Sequence, residues 1–360
     1  MDNKIVELYR GVSVSGERVK AYTDKLENVE YAFYFICKDQ VEKKYYSPSS
    51  EVEFYLRPDA RFFSVIYYYR LQDGEIVSLK RDYFRRGDEV KAAEFDTIYE
   101  SDDNKIIHYD LGAETTFVVF NGTKSTKKSM PFGLSFLLTR GYNVISCLQD
   151  NDTQYQSLSF DDFRSAVLPA IESKKTICYG SSLGGYCAIY YAGAINASVI
   201  AAAPRNSAHP DLVRKKKGKS HFSPSLYKHS SIGKNALTEK SITIILDPYH
   251  LADVDFYRKY IRSFYKENIQ LIEIPHAGHE VLYYLRDTRQ LSGLISSVVN
   301  EQSYDINTAL DSKYTDVGLV RHWLSIGDIE KARFYAQRAQ SAGDLGKNFE
   351  RRLKTLSANL

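Results

Sequence analysis

The chain has 360 residues, of which 43% are hydrophobic and 26% charged, and its formal net charge is +3. That length accommodates two or three domains, and the balance of apolar and charged residues excludes an intrinsically disordered or fibrous chain. No stretch approaches the roughly 18 uninterrupted apolar residues of a membrane span, and the opening MDNKIVELYRG carries an acid at once, so the chain is expected to have neither a membrane span nor a secretory leader and to be cytoplasmic.

From Glu30 to about Phe84, short aromatic or β-branched runs (YAFYFIC, EVEFYLR, FFSVIYYYRL, EIVSLKRDYF) alternate with polar turns, including the Asp73-Gly74 turn. Period-two alternation with an Asp-Gly turn predicts antiparallel strands. Residues 1–100 are therefore expected to form a small β-sandwich of immunoglobulin-like kind. The chain holds 29 tyrosines, and those of this region are expected to fill the sandwich core and its rim, not a sugar-binding surface.

After about Ile106 the pattern changes. The apolar runs TTFVVFNG, YNVISCLQD, TICYG, SVIAAAP, SITIILD and IQLIEIP recur, separated by stretches of helical spacing such as FDDFRSAVLPAIES and VDFYRKYIRSFYKE. Short buried-strand runs alternating with amphipathic helices predict βαβ units and a mostly parallel sheet with helices on both faces, placed at residues 106–303. From about Asn307 no strand pattern remains, and 307–360 reads as a short helical tail of two or three helices, with a break at Gly327-Asp328, similar to a tetratricopeptide-type hairpin.

Within TICYGSSLGGYC, Gly180-Ser181-Ser182-Leu183-Gly184 has the spacing Gly-x-Ser-x-Gly. A strand, a small-residue turn and a helix in that order push a serine hydroxyl out at the carboxyl edge of the sheet. Serine needs an adjacent base to act as a nucleophile. The run IQLIEIPHAGHE puts His279 in a Gly-His turn after the last strand; His276, three residues earlier, is the weaker candidate. The acid should follow SITIIL, where Asp253 is preferred, Asp247 is second, and Asp255 reads as a helix cap. The Leu183 amide and a backbone N–H of Gly122 or Thr123, in the turn after FVVFNG, are the expected oxyanion donors.

From about 110 to 300 the chain resembles α/β-hydrolases, with FVVFNG, GSSLGG, DPYHLAD and HAGH in that family's order. The resemblance implies a Ser-Asp-His triad and an acyl-serine intermediate. The arrangement of aromatic sandwich, GSSLGGYCA and basic insertion also resembles bacterial surface-glycan enzymes, including polysialic acid O-acetyltransferases.

Residues 205–240 hold nine Lys and Arg against Asp211 and Glu239. Such a run is usually a solvated loop, but it also attracts anions. Arg205, Lys215 and Lys216 are the residues expected to meet substrate. The expected function is esterase or O-acetyltransferase chemistry. The partners would be a small ester or acyl donor and an anionic polysaccharide acceptor. Acetyl-CoA is a candidate donor, and no cofactor is expected to be bound tightly. A non-catalytic glycan-binding scaffold is the alternative. The four cysteines show no ligand spacing, so no metal is expected. Neither a G-x-G-x-x-G turn in a first βα unit nor a P-loop is present, and no nucleic-acid partner is expected.

Overall fold

The protein is described by a computed structural model that covers residues 5, 7–37, 40–58, 60–86, 89–150, 152–215, 227–265, 267–343 and 345–358. The first strands are β1 (Arg10–Ser15), β2 (Arg18–Thr23), β3 (Glu30–Cys37), β4 (Gln40–Ser47), β5 (Glu51–Tyr55), β6 (Phe62–Arg70), β7 (Ile76–Arg86) and β8 (Glu89–Ala92). They form two antiparallel sheets, β1-β2-β5 and β4-β3-β6-β7-β8. Alternating residues point inward, so Phe33, Phe35, Phe54, Phe63, Val65, Tyr67 and Tyr69 share one core. Phe35 of one sheet stacks on Phe54 of the other at 5.2 Å. Tyrosine is tolerated there because its hydroxyl finds a partner: the Tyr67 O–H donates to the Gly11 carbonyl at 3.0 Å and lies 2.8 Å from the Tyr83 hydroxyl.

The second group of strands is β9 (Asp96–Glu100), β10 (Asn104–Tyr109), β11 (Thr115–Phe120), β12 (Asn143–Gln149), β13 (Lys175–Ser181), β14 (Ser198–Ala202), β15 (Ile242–Leu246) and β16 (Ile269–Glu273). They make an eight-stranded sheet in the order β9-β10-β12-β11-β13-β14-β15-β16. β11, β13, β14, β15 and β16 pair in parallel. Every residue of β11, β14 and β15 is buried, as expected for a parallel sheet covered on both faces. The sheet starts at Asp96, earlier than the sequence boundary at 106. β9 is an edge strand with no fully buried residue, so it carries little of the hydrophobic pattern from which a boundary is read. The compact units also divide differently, as Met1–Asp96 with His108–Ala113 and Gly133–Val144 on one side and the rest on the other.

The helices are α1 (Leu134–Leu138), α2 (Phe160–Val167), α3 (Leu183–Ala192), α4 (Pro210–Lys215), α5 (Leu251–Tyr260), α6 (Val281–Asp287), α7 (Leu291–Val299), α8 (Lys313–Ser325), α9 (Ile329–Ser341) and α10 (Lys347–Ser357). No helix among the described residues is long and apolar enough to cross a membrane. α8, α9 and α10 form the tail around Tyr314, Val317, Val320, Ala336, Ala339, Phe349 and Leu353. The tail also fastens to the loop after β16, where Arg352 makes a two-pronged pair with Glu280 at 3.0 and 3.1 Å.

The sheet and α3 meet through glycine. A Cβ on Gly184 would run into the Phe120 carbonyl oxygen, and one on Gly180 into the Gly184 backbone, whereas Gly122 has open space. Backbone cannot yield as a side chain does, so Gly184→Ala is expected to destabilise the fold by about 3 kcal/mol. A fall in the urea midpoint that Gly122→Ala does not share would show it.

Candidate active site

β13 ends at Ser181, and α3 begins at Leu183. Ser182 between them has φ 56° and ψ −119°, a conformation that a non-glycine residue adopts only when its surroundings enforce it. Three backbone bonds enforce it here. The Ser182 N–H donates to Ala202 at 2.8 Å, and the Ser182 carbonyl accepts from Tyr186 and Arg205, each at 3.0 Å. The turn thereby presents the hydroxyl beyond the carboxyl ends of the strands.

The loop after β16 brings His279 to that hydroxyl, with Nε2 2.7 Å from Ser182 Oγ. Its other ring nitrogen, Nδ1, lies 2.7 Å from Asp253 Oδ2. A neutral imidazole satisfies both contacts by donating from Nδ1 to the carboxylate and accepting the serine O–H at Nε2. Asp253 sits in the first turn of α5, where the helix N-terminus favours an anion. Its residue is completely buried. Burial acts to raise the carboxyl pKa, but the adjacent imidazoles of His250 and His279, with the charges of His279 and Arg205, outweigh it and hold the group at about 2. Asp253 is thus an anion throughout the neutral range.

Asp247, the second-choice acid, does something else. Its Oδ1 accepts N–H groups from Tyr249 at 2.9 Å and His276 at 3.1 Å, and its Oδ2 accepts from Gly278 at 2.8 Å. One buried carboxylate so links the loop ahead of α5 to the loop that carries His279. The His276 ring stacks on Tyr249 at 4.6 Å and packs against His322 of α8 at 5.0 Å.

The expected oxyanion donors lie on the same edge. Leu183 opens α3, so its N–H has no partner within the helix. Phe120 pairs with Gly180 across β11 and β13, so Gly122 and Thr123 leave the sheet level with the nucleophile turn. Asn121 holds that loop, accepting the Phe132 N–H at 2.7 Å and donating to the Met130 carbonyl at 3.0 Å. No sequence motif singles out Asn121.

Arg205, expected to meet substrate, also faces Asp253. Its guanidinium turns to the acid, with Nη1 2.9 Å from Asp253 Oδ1. Lys215 ends α4, and Lys216 lies outside the described residues. His250, inside DPYHLAD but given no role by it, has Nδ1 2.9 Å from Asp253 Oδ2. His229 belongs to no motif. It is buried against α3, stacked on Tyr190 at 4.2 Å with Nε2 2.8 Å from the Tyr155 carbonyl. Burial outweighs that hydrogen bond and holds it neutral, at about 4, so it serves as an uncharged anchor for the end of the basic segment.

The side chains of His250, Asp253 and His279 bring their donor atoms within 4.8 Å of one another. Those atoms are already committed to each other, to Ser182 and to a guanidinium, a cation that opposes a second one. We assign no metal to the cluster.

Strand order, parallel core and a serine on the sharp turn after the fifth strand of the large sheet make this an α/β-hydrolase fold. No family model matches the chain, and no curated protein matches its sequence. Among solved structures it is similar to a capsule O-acetyltransferase of Neisseria meningitidis serogroup A, at 16% identity over 55% of this chain and 93% of that one, with a TM-score of 0.41. It is also similar to dienelactone hydrolase from Anabaena variabilis, at 18% identity over 56% and 94% of the two chains, with a TM-score of 0.36. An α/β serine hydrolase homologue from Coxiella burnetii is similar at 11% identity over 58% and 97%, with a TM-score of 0.35.

Proposed function

We propose that the protein is a serine-nucleophile acyl-transfer enzyme working through a covalent ester on Ser182. The observation that carries this reading is the unbroken chain Ser182–His279–Asp253, with both links at 2.7 Å. His279 Nε2 takes the hydroxyl proton as Oγ attacks the acyl carbon. The oxyanion that forms is met by the Leu183 N–H and by an N–H of Gly122 or Thr123. Collapse breaks the bond to the leaving group, which departs with the proton from His279. A second nucleophile then gives its proton to His279, attacks the acyl-serine and frees Ser182. Asp253 holds the ring and offsets the charge of the imidazolium.

The second nucleophile is either water, which makes the protein an esterase, or a hydroxyl of an anionic surface polysaccharide, which makes it an O-acetyltransferase with acetyl-CoA as donor. The excess of Lys and Arg in 205–240 favours an anionic acceptor.

Intact mass after mixing with p-nitrophenyl acetate tests the reading. One acetyl group should be gained, map to Ser182, and be missing in Ser182→Ala. Faster loss of the adduct on adding an acidic polysaccharide, with acetylated sugar appearing, would identify the transferase. An acetyl group found on another residue, with Ser182 unmodified, would overturn the reading.

A further inference from the structure

We propose that Arg205 is a positioning residue that joins the two ends of the site: its backbone N–H holds the nucleophile turn, and its guanidinium holds the acid. The inference rests on Ser182 and His279 acting as nucleophile and base. The Arg205 N–H donates to the Ser182 carbonyl at 3.0 Å, and its Nη1 lies 2.9 Å from Asp253 Oδ1. His279 bridges the same two residues through its ring, at Ser182 Oγ and Asp253 Oδ2; Arg205 meets them at the Ser182 carbonyl and at Oδ1.

The need for it follows from the crowding at Asp253. Both imidazoles, His279 at 2.7 Å and His250 at 2.9 Å, face Oδ2, which leaves Oδ1 of a fully buried carboxylate to Arg205. A buried anion without compensation is strongly disfavoured. Arginine supplies a charge that never titrates, so Asp253 stays ionised whether His279 is neutral or protonated. The same cation opposes the imidazolium formed when His279 takes the serine proton. It therefore helps return that proton to the leaving group.

Other charges near His279 stay in place when the guanidinium is removed. His250 approaches from the start of α5, its ring 5.7 Å from that of His279. Glu280, next in the chain, is paired with Arg352 of α10 at 3.0 Å. Asp247 is occupied by backbone N–H groups of the same loop. Side-chain substitution also keeps the Arg205 N–H, so variants isolate the guanidinium.

The test uses the full chain as wild type, Arg205→Gln and Arg205→Lys. The rate at which a fluorophosphonate labels Ser182 is followed by intact mass from about pH 5 to pH 9, the range in which histidine changes charge. Without the guanidinium the imidazolium persists to higher pH, so the acid limb of Arg205→Gln should move up by about one pH unit. Labelling on the acid limb, well below its midpoint, should fall by about tenfold, the equivalent of that shift. Arg205→Lys keeps the cation and should hold the limb near its wild-type position.

Thermal unfolding against pH reads the ion pair without any chemistry at Ser182. The Asp253 carboxyl is held at about 2 in the fold, against about 3.9 in an unfolded chain. The stability it contributes is complete above about pH 4 and is lost as pH falls through 2. The gap between wild type and Arg205→Gln should accordingly be widest above pH 4 and close towards pH 2. An Arg205→Gln limb that overlays wild type, or a stability gap equal at every pH, would overturn the inference. Wild type that is never labelled would sink the Ser182 reading instead, and the unfolding curves would still decide on the ion pair.

Discussion

Ser182→Ala is expected to lower turnover of an activated acetyl ester by a factor on the order of 10⁴ to 10⁶, and His279→Ala by about as much. The reason lies in their one shared bond, Oγ to Nε2 at 2.7 Å. A serine hydroxyl attacks only as its proton leaves, and a base at that nitrogen has nothing to do without the hydroxyl. The double variant should therefore be scarcely slower than either single one. Initial rates of p-nitrophenol release for the four proteins check this. Losses that multiply in the double variant would mean that the two groups act apart, and the nucleophile–base assignment would fail. Residual rate in all variants is expected, since the proposed oxyanion donors are backbone N–H groups that no side-chain change removes.

Asp253→Asn should cost about 10⁴-fold in kcat with the fold retained. An asparagine amide turned towards Nδ1 donates a hydrogen bond where the carboxylate accepted one. The imidazole proton then sits on Nε2, and the nitrogen facing Ser182 can no longer take the hydroxyl proton. Asp247→Asn is the contrasting change. It keeps the oxygen that serves Tyr249 and His276 but sets an amide NH2 against the Gly278 N–H, so its main effect should be a stability loss of about 1–3 kcal/mol. Steady-state kinetics together with urea unfolding of both variants separates the roles. If Asp247→Asn proves the slower and Asp253→Asn merely the less stable, the two carboxylates have been assigned the wrong way round.

The sandwich, the parallel sheet and the helical tail were legible because each rests on a periodic pattern of burial, as in the inward-facing Phe and Tyr of β3 and β6. β9 was not, because an edge strand with no buried residue leaves hardly any pattern. At the site, Ser182 stood out through its glycines, and His279 through its place after the last strand. Sequence favours Asp253 over Asp247 by position, since Asp253 stands just ahead of the next helix on a loop long enough to reach, whereas Asp247 touches the strand end and precedes Pro248. The structure separates them through partners: Asp247 meets amides that arrive from the loop after β16, and Asp253 meets imidazoles. Arg205, at the head of the basic run, reads as a residue that meets substrate, and the structure adds its contact with Asp253. Asn121 and His250 lie inside FVVFNG and DPYHLAD without being singled out there, His229 lies in no motif, and only their neighbours give the three a role.

Local order was thus written into the chain itself: alternating strands, a small-residue turn that only glycines allow, and a serine lifted on it. These depend on steric and hydrophobic preferences between residues close in sequence, which a single strand or turn already expresses. Tertiary structure alone decided which carboxylate meets the imidazole, which cation stands behind it, and that the tail fastens the histidine loop through Arg352 and Glu280. Those outcomes depend on the direction of side chains in loops. That direction is set by hydrogen-bond donors and charges brought together only when β11 and β13 through β16 align in one sheet.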